Sequence, residues 1–476
     1  MSTETTHADW SGPRTKKTFL GHPVGLFVLF FTEMWERFSY YGMRGLLKLY
    51  MANYLFVTTR QVLQGGTTRA PGDPDAVLGW SVIRNLLPSG VNEQASVVYG
   101  WYSGLVYLTP LLGGILADRY FGQRKAVYLG AILMACGQFV LFGAENMFFV
   151  GLLLLILGNG LFKPNISTQV GSLYPPGDPR RDGAFTIFYM GINLGAFICN
   201  LVCGTLAALY GWRYGYLAAG IGMLVGLAVQ LVGVKHLAPD TLAHRRAAAA
   251  AATAAPPEGF TKEEWRRIFA LIILCGLNVI FWAVYEQQGN TMQTWADEQT
   301  VWPTLGSFQV PSTWFQSFNP LFIFIMAPLS TIIWAWQARR GSEPSSVAKM
   351  AIGCFILGLS FIVMVVGSRV VGTGKGSVFW PVFCTLLLTV GELYLSPVGL
   401  SLVTKVAPAR IVSMMMGTWF LSSFFGNLLS GYIGALYTRM PKDYFFLLLL
   451  ALGVAAGVAI WAFNKPLKQA MGAKAG

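Results

Sequence analysis

Seven polar residues recur at helical spacing between positions 33 and 48: Glu33, Glu36, Arg37, Tyr40, Tyr41, Arg44 and Lys48. At about 100° per residue they share an arc of roughly 140° on one helix. Trp35, Phe38, Met43, Leu46 and Leu47 fall mostly outside that arc. Carboxylates and cations one turn apart can hold an ion pair, take up a proton or grip a charged ligand. Here they sit in an apolar run that begins near Val24 and continues past Leu55. A charged stripe in such a run must face a protein interior or a watered cavity. Ionisable groups at membrane depth mark a functional site by default. The plainer alternative is a salt-bridge knot that locks the helix, as i, i+4 Glu–Arg pairs do elsewhere.

Other groups fall at the same depth in other apolar runs. Lys163, in Gly158-Asn159-Gly160-Leu161-Phe162-Lys163-Pro164-Asn165, lies roughly 22 Å along its helix, too deep to reach the outer face easily. Glu392, in Gly391-Glu392-Leu393-Tyr394-Leu395-Ser396-Pro397, is at similar depth, as are Arg37 and Trp282. Proline after Lys163 and Ser396-Pro397 after Glu392 loosen helical bonding, which is tolerated where backbone lines a cavity. Tyr189 and Asn193 stand at i and i+4. Asn319 precedes Pro320, Tyr107 lies a few turns before a charged loop, and Glu286 and Gln287 follow Trp282 by one turn. Structural readings stand beside these. Lys163 can serve as a fixed partner of a glutamate, Arg44 as half of an outer gate pair, and Lys48 as a snorkelling or gate residue. The four histidines lie outside the apolar runs, and no metal-ligand spacing or disulfide framework is visible among the six cysteines.

These groups are positioned by membrane helices. The chain is 54% hydrophobic and 12% charged, with mean hydropathy +0.53, against about 25% charged in soluble domains. Twelve spans are expected, near 24–54, 96–117, 125–144, 147–173, 184–209, 213–234, 267–289, 313–337, 346–368, 378–406, 411–438 and 443–463. With the N-terminus inside, about 22 basic residues fall on cytoplasmic segments and about 8 on the far side, which sets the orientation. The net charge of +13 is therefore read as topology, not as a nucleic-acid footprint. No cleavable signal is evident, so the first helix is expected to act as an uncleaved insertion signal.

The expected divisions are a cytoplasmic segment 1–23, a six-helix bundle 24–234, a linker 235–266, a second six-helix bundle 267–463 and a cytoplasmic tail 464–476. The linker holds the Ala247–Ala252 tract and Pro256-Pro257. The outer loop at 58–95 is long, with a short interfacial helix expected near Asp75–Leu87; the loop at 297–311 is shorter. In Gly113-Gly114-Ile115-Leu116-Ala117-Asp118-Arg119 the glycines permit close helix packing, and Asp118 can cap a helix start or pair with a cation.

That loop resembles the signature loop of the major facilitator superfamily, with Arg339-Arg340-Gly341 as a degenerate copy. Glu33-x-x-Glu36-Arg37-Phe38-x-Tyr40-Tyr41-Gly42 resembles the first-helix signature of the proton-dependent oligopeptide transporter (POT/PTR) family. Phe188-Tyr189-x-x-Ile192-Asn193-x-Gly195 resembles that family's fifth-helix signature. Phe281-Trp282-Ala283 with Glu286-Gln287, Asn319-Pro320, Glu392 with Ser396-Pro397, and Trp419-Phe420 also match family positions. The resemblance runs from about residue 20 to 464. Many bacterial members carry two extra helices between the halves, and 235–267 is too polar and short for them.

The resemblance implies an all-α polytopic major facilitator fold of two six-helix bundles, with substrate bound between halves. It implies proton-coupled symport of di- and tripeptides by alternating access. Arg37, Arg44 and Lys163 would take the peptide carboxylate, and Glu392 beside Asn319 the ammonium. Tyr41, Tyr107, Tyr189 and Asn193 would bond the peptide backbone, and Ser396 would also belong to the substrate site. Trp282, Trp419 and Phe420 would accept varied side chains. Glu33, Glu36, Glu286 and Glu392, with Arg37 and Lys163, would couple the proton. The alternative is nitrate or another small anion, against which Glu392 argues. No intramembrane protease run occurs, so an enzyme is not expected. Neither are a metal, a cofactor or a nucleic-acid partner. A monomer in the cell inner membrane with both termini inside is expected, driven by the proton gradient.

Overall fold

The computed structural model describes residues 12–13, 17–65, 69–175, 177–240, 242, 259–408 and 411–471. The Ala247–Ala252 tract and Pro256-Pro257 of the expected linker lie outside these, as do residues 1–11 and 472–476. The chain is built of helices. α1 spans Val24–Tyr50 and widens into a π-helical turn, Met51–Leu55. The long connection that follows holds short helices α2 (Thr59–Gly65), not expected from the sequence, and α3 (Trp80–Ile83), which with the 3₁₀ turn Arg84–Leu86 falls where a short helix is expected; a further 3₁₀ turn lies at Pro74–Ala76. Then come α4 (Val91–Leu116), α5 (Gln123–Gly143), α6 (Phe148–Ser172), α7 (Arg180–Tyr210) and α8 (Trp212–Gly233). After the linker follow α9 (Lys262–Tyr285), α10 (Thr291–Glu298), α11 (Phe318–Arg339), α12 (Ser346–Val371), α13 (Phe379–Val406), α14 (Val412–Gly434) and α15 (Lys442–Met471).

Among the described residues nine helical segments are long and apolar enough to cross a membrane. Against the twelve spans expected, the three outside that set are α1, α4 and α14, of 27, 26 and 23 residues. For α1 the reason is its polar arc: an inward-turned charged face interrupts the apolar run. The only strands described are pairs of two-residue strands in the connections. β1 (Thr18–Phe19) runs antiparallel to β2 (His22–Pro23), and β4 (Thr304–Leu305) to β5 (Phe308–Gln309). β3 (Thr300–Val301) runs parallel to β6 (Gly376–Ser377).

Two helix starts are capped by side chains. Thr261 and Glu264 form a reciprocal capping box at α9, and Ser345 Oγ accepts from Ala348 N at 3.3 Å at α12. At the signature loop the start of α5 is met by a different carboxylate from the one expected to cap it. The carboxylate accepting from the first N–H groups of α5, Gln123 and Arg124 at 3.4 and 3.3 Å, is Asp240. Asp118 lies in a π-helical turn, Ala117–Phe121. The end of α8 thus returns to the start of α5, a long-range pairing that local spacing does not reveal. Beside it, His22 Nδ1 and the Tyr174 hydroxyl are 2.8 Å apart. Burial pushes the Tyr174 phenol up to about 12, so it keeps its proton.

Packing gathers the chain into two compact units, Met1–Met43 with Thr109–Pro257, and Arg44–Leu108 with Glu258–Gly476. α1 passes from the first to the second after Met43, and α4 passes back after Leu108. In the first unit α5 packs on α6 and α8, and α7 packs on α8. In the second α12 packs on α13 and α15, α9 on α14 and α15, and α11 on α13. The N-terminal part of α4 crosses α14 at backbone distance. A Cβ on Gly100 would stand 2.7 Å from the Asn427 carbonyl oxygen, so only glycine fits this crossing. This packing overturns snorkelling for Lys48: it is buried, and its Nζ donates to Asn92 O at 2.8 Å and Ser96 Oγ at 2.9 Å on α4.

Candidate functional site

In the first unit the polar face of α1 is turned into protein. Glu33, Glu36 and Arg37 are 2%, 0% and 2% exposed, which excludes a solvated charge stripe. α7 comes against this face at Gly195, where a Cβ would meet the Met34 carbonyl oxygen at 2.1 Å and lie 3.1 Å from the Arg37 Cβ. Two carboxylates converge on one guanidinium. Arg37 Nε is 3.0 Å from Glu33 Oε1, and it also pairs with Glu36. The guanidinium lies 5.3 and 5.9 Å from the ring centroids of Tyr40 and Tyr41, at cation–π range.

α6 supplies the other side of this cluster. Asn159 Nδ2 donates to Glu36 Oε1 at 3.2 Å. Lys163, half-buried one turn later, lies within electrostatic reach of both glutamates. The arrangement holds two acids against Arg37 with a second cation nearby, so the charge balance of the site changes with each proton gained or lost. On α7, Asn193 is buried and its Nδ2 donates to the Tyr189 carbonyl at 3.0 Å, one turn back, while Tyr189 itself is exposed. The i, i+4 spacing is therefore used along the helix backbone.

In the second unit a single carboxylate is held by neutral donors. Glu392 Oε2 accepts from the Tyr285 hydroxyl at 2.6 Å and from Asn319 Nδ2 at 3.1 Å. Asn319 Nδ2 also reaches Thr389 Oγ1 at 3.0 Å. Glu392, Asn319 and Tyr285 come from α13, α11 and α9, so three helices aim at one group. Arg44 pairs with Glu286, which is 4% exposed, and the guanidinium lies 5.4 Å from the Tyr99 ring. An expected ligand and an expected proton carrier are thus each other's partner. Trp282 and Trp419 are 8% and 3% exposed within the apolar core, and half-buried Phe420 packs against it. Trp282 meets Tyr285 edge-on at 5.5 Å. Tyr107, on α4, and Ser396, one turn beyond Glu392 on α13, are half-buried in this unit.

Of the residues the sequence singled out, Glu33, Glu36, Arg37 and Lys163 come together, as do Asn319 with Glu392 and Arg44 with Glu286. Four participants went unassigned: Asn159, Tyr99, Tyr285 and Thr389. Asn159 stands one turn before Lys163, and Tyr285 is adjacent to Glu286. Helical spacing carries a signal for Asn159, whereas adjacency gives none for Tyr285, since neighbouring residues on a helix point about 100° apart. Tyr99 and Thr389 show none.

A multi-pass helical membrane protein with buried ion pairs at mid-helix depth has the construction of a carrier. The profile described as the POT family matches residues 124–242 and 241–447, and the chain belongs to that family. It is 36% identical over 481 residues to the peptide transporter YePEPT of Yersinia enterocolitica, covering 88% of each chain. It is 32% identical over 518 residues to a di-/tripeptide transporter of Lactococcus lactis subsp. cremoris, covering 96% of this chain and 98% of the relative. A crystal structure of the peptide transporter POT in complex with alafosfalin superposes with a TM-score of 0.80 at 33% identity, covering 97% of this chain and 98% of that one. The fold is the all-α major facilitator fold.

Proposed function

We propose that this protein carries out proton-coupled symport of di- and tripeptides by alternating access. The observation that carries the reading is the buried Glu33–Arg37–Glu36 cluster, in which two acids compete for one guanidinium. Substrate carboxylate that draws on Arg37 or Lys163 leaves a glutamate short of its counter-charge, and that glutamate then binds a proton. The coupling is thus an exchange of partners at one cation. A short peptide is a zwitterion. Arg37 and Lys163 take its carboxylate; Glu392, oriented by Tyr285 and Asn319, takes its ammonium. Trp282, Trp419 and Phe420 provide apolar surface for side chains of differing shape. Arg44 and Glu286 hold each other at the outer part of α1 and can let go only when that region opens.

The names of the relatives support the substrate class, and the basic bias of alternate segments supports a cytoplasmic-membrane protein with both termini inside. We take it to act as a monomer without a cofactor. The deciding experiment is uptake into proteoliposomes under an imposed pH gradient, competed with dipeptides, free amino acids and nitrate. Dipeptides should compete and the others should not. Competition by nitrate alone would replace this reading with anion transport.

A further inference from the structure

Asn159 is fully buried on α6, and its Nδ2 donates to Glu36 Oε1 at 3.2 Å. Its other polar atom, Oδ1, is buried without a hydrogen-bond partner. So are two atoms of the same cluster, the acceptor Glu33 Oε2 and the donor Arg37 Nη2. Buried polar groups are nearly always bonded, so a cluster with three buried atoms unmatched by protein partners calls for an explanation. A site that must exist in two protonation states provides one: it cannot satisfy every atom in both. An amide suits such a site because it carries N–H donors and a carbonyl acceptor, and a half-turn about its last torsion exchanges them. The other side chain bonded to Glu36 is Arg37, which can only donate. The charged and titratable neighbours are Glu33, Arg37, Tyr40 and Tyr41 on α1 and Lys163 on α6.

The geometry points to Asn159 as a positioning residue for the proton carried by Glu36: its N–H bonds the carboxylate, and its carbonyl accepts the carboxyl O–H once Glu36 is protonated. The only bond made or broken is that O–H. The proton comes from water and returns to water, and the amide stays neutral throughout. This inference rests on the reading of Glu36 as a proton carrier.

The test uses the full-length protein in proteoliposomes, with Asn159→Leu, Asn159→Ser and Glu36→Gln compared with wild type. Leucine fills a similar volume with no polar atom, whereas a serine hydroxyl both donates and accepts. Asn159→Leu should lower uptake driven by a pH gradient about tenfold, the scale of a lost hydrogen bond to a charged group, while counterflow exchange changes far less. Its uptake should also follow external pH with a displaced midpoint. Asn159→Ser should recover both the rate and the midpoint. Equal loss of both activities in Asn159→Leu, or an unmoved pH midpoint, would reduce Asn159 to a packing residue. If Asn159→Leu does not purify as a folded protein, Asn159→Ala supplies the same comparison. Retained concentrative uptake in Glu36→Gln would remove the proton-carrier reading itself. Its loss, with Asn159→Leu unaffected, would remove only the role of Asn159.

Discussion

Glu36 and Glu392 are both half of a question that side-chain chemistry can answer. Glu36 faces a cation, so replacing it by glutamine removes a charge that Arg37 needs and a group able to bind a proton. Glu36→Gln should abolish concentrative uptake while counterflow, which needs no net proton movement, partly survives; a parallel fall in both would favour a structural knot. Glu392 faces only neutral donors, which leaves its charge available to an ammonium. Glu392→Gln should therefore penalise free-amine dipeptides more than N-acetylated ones, and Lys163→Ala should penalise free-carboxylate dipeptides more than amidated ones. Each penalty should be about ten- to a hundredfold in competition, the scale of a hydrogen bond to a charged group. If blocking either end made no difference, Lys163 and Glu392 would be relay or gate groups. Tyr285→Phe removes one of the two donors that orient Glu392, and a smaller penalty of the same amine-dependent kind is expected.

The helices impose their own tests. α9 carries Trp282 and Tyr285 in its last turn, and Glu286 opens the 3₁₀ turn that follows, so the end of one helix serves the apolar surface, the carboxylate and the Arg44 pair. Trp282→Ala should reorder which dipeptides compete best; a lower protein yield with an unchanged ranking would make it a packing residue. The crossing of α4 with α14 depends on a missing side chain at Gly100. Gly100→Leu forces a branched group against the Asn427 carbonyl, and overpacking of this kind costs about 1–3 kcal/mol. Its thermal unfolding midpoint in detergent should fall by several degrees. Gly143→Ala, where a Cβ would meet nothing within 4 Å, serves as the control and should not shift.

For the whole molecule, the consequence of symport with protons is net inward movement of positive charge when a zwitterion is carried. An elementary charge gains about 2.3 kcal/mol per 100 mV, so an inside-negative potential of that size favours accumulation by up to about fiftyfold per charge. Potassium-loaded proteoliposomes with valinomycin, at equal pH on both sides, should show dipeptide accumulation that disappears when the potential is collapsed. Accumulation indifferent to the potential would mean that no net charge crosses with the peptide.

The sequence by itself determined the helical membrane class, because apolar runs long enough to span leave few alternatives once every backbone group must be bonded within its own segment. It also determined which face of α1 is polar, since spacing at 3.6 residues per turn is a property of the helix alone. The polar groups it marked on separate helices do come together: Lys163 lies within electrostatic reach of Glu36, and Asn319 bonds Glu392. Partner choice was another matter. That Arg44 takes Glu286, that Asp240 rather than Asp118 meets the start of α5, that Lys48 is buried against α4, and that Asn159 and Tyr285 complete the carboxylate sites were decided only by tertiary packing. Each is a contact between residues far apart in the chain, and periodicity gives the direction a side chain faces on its helix without saying which helix comes to meet it.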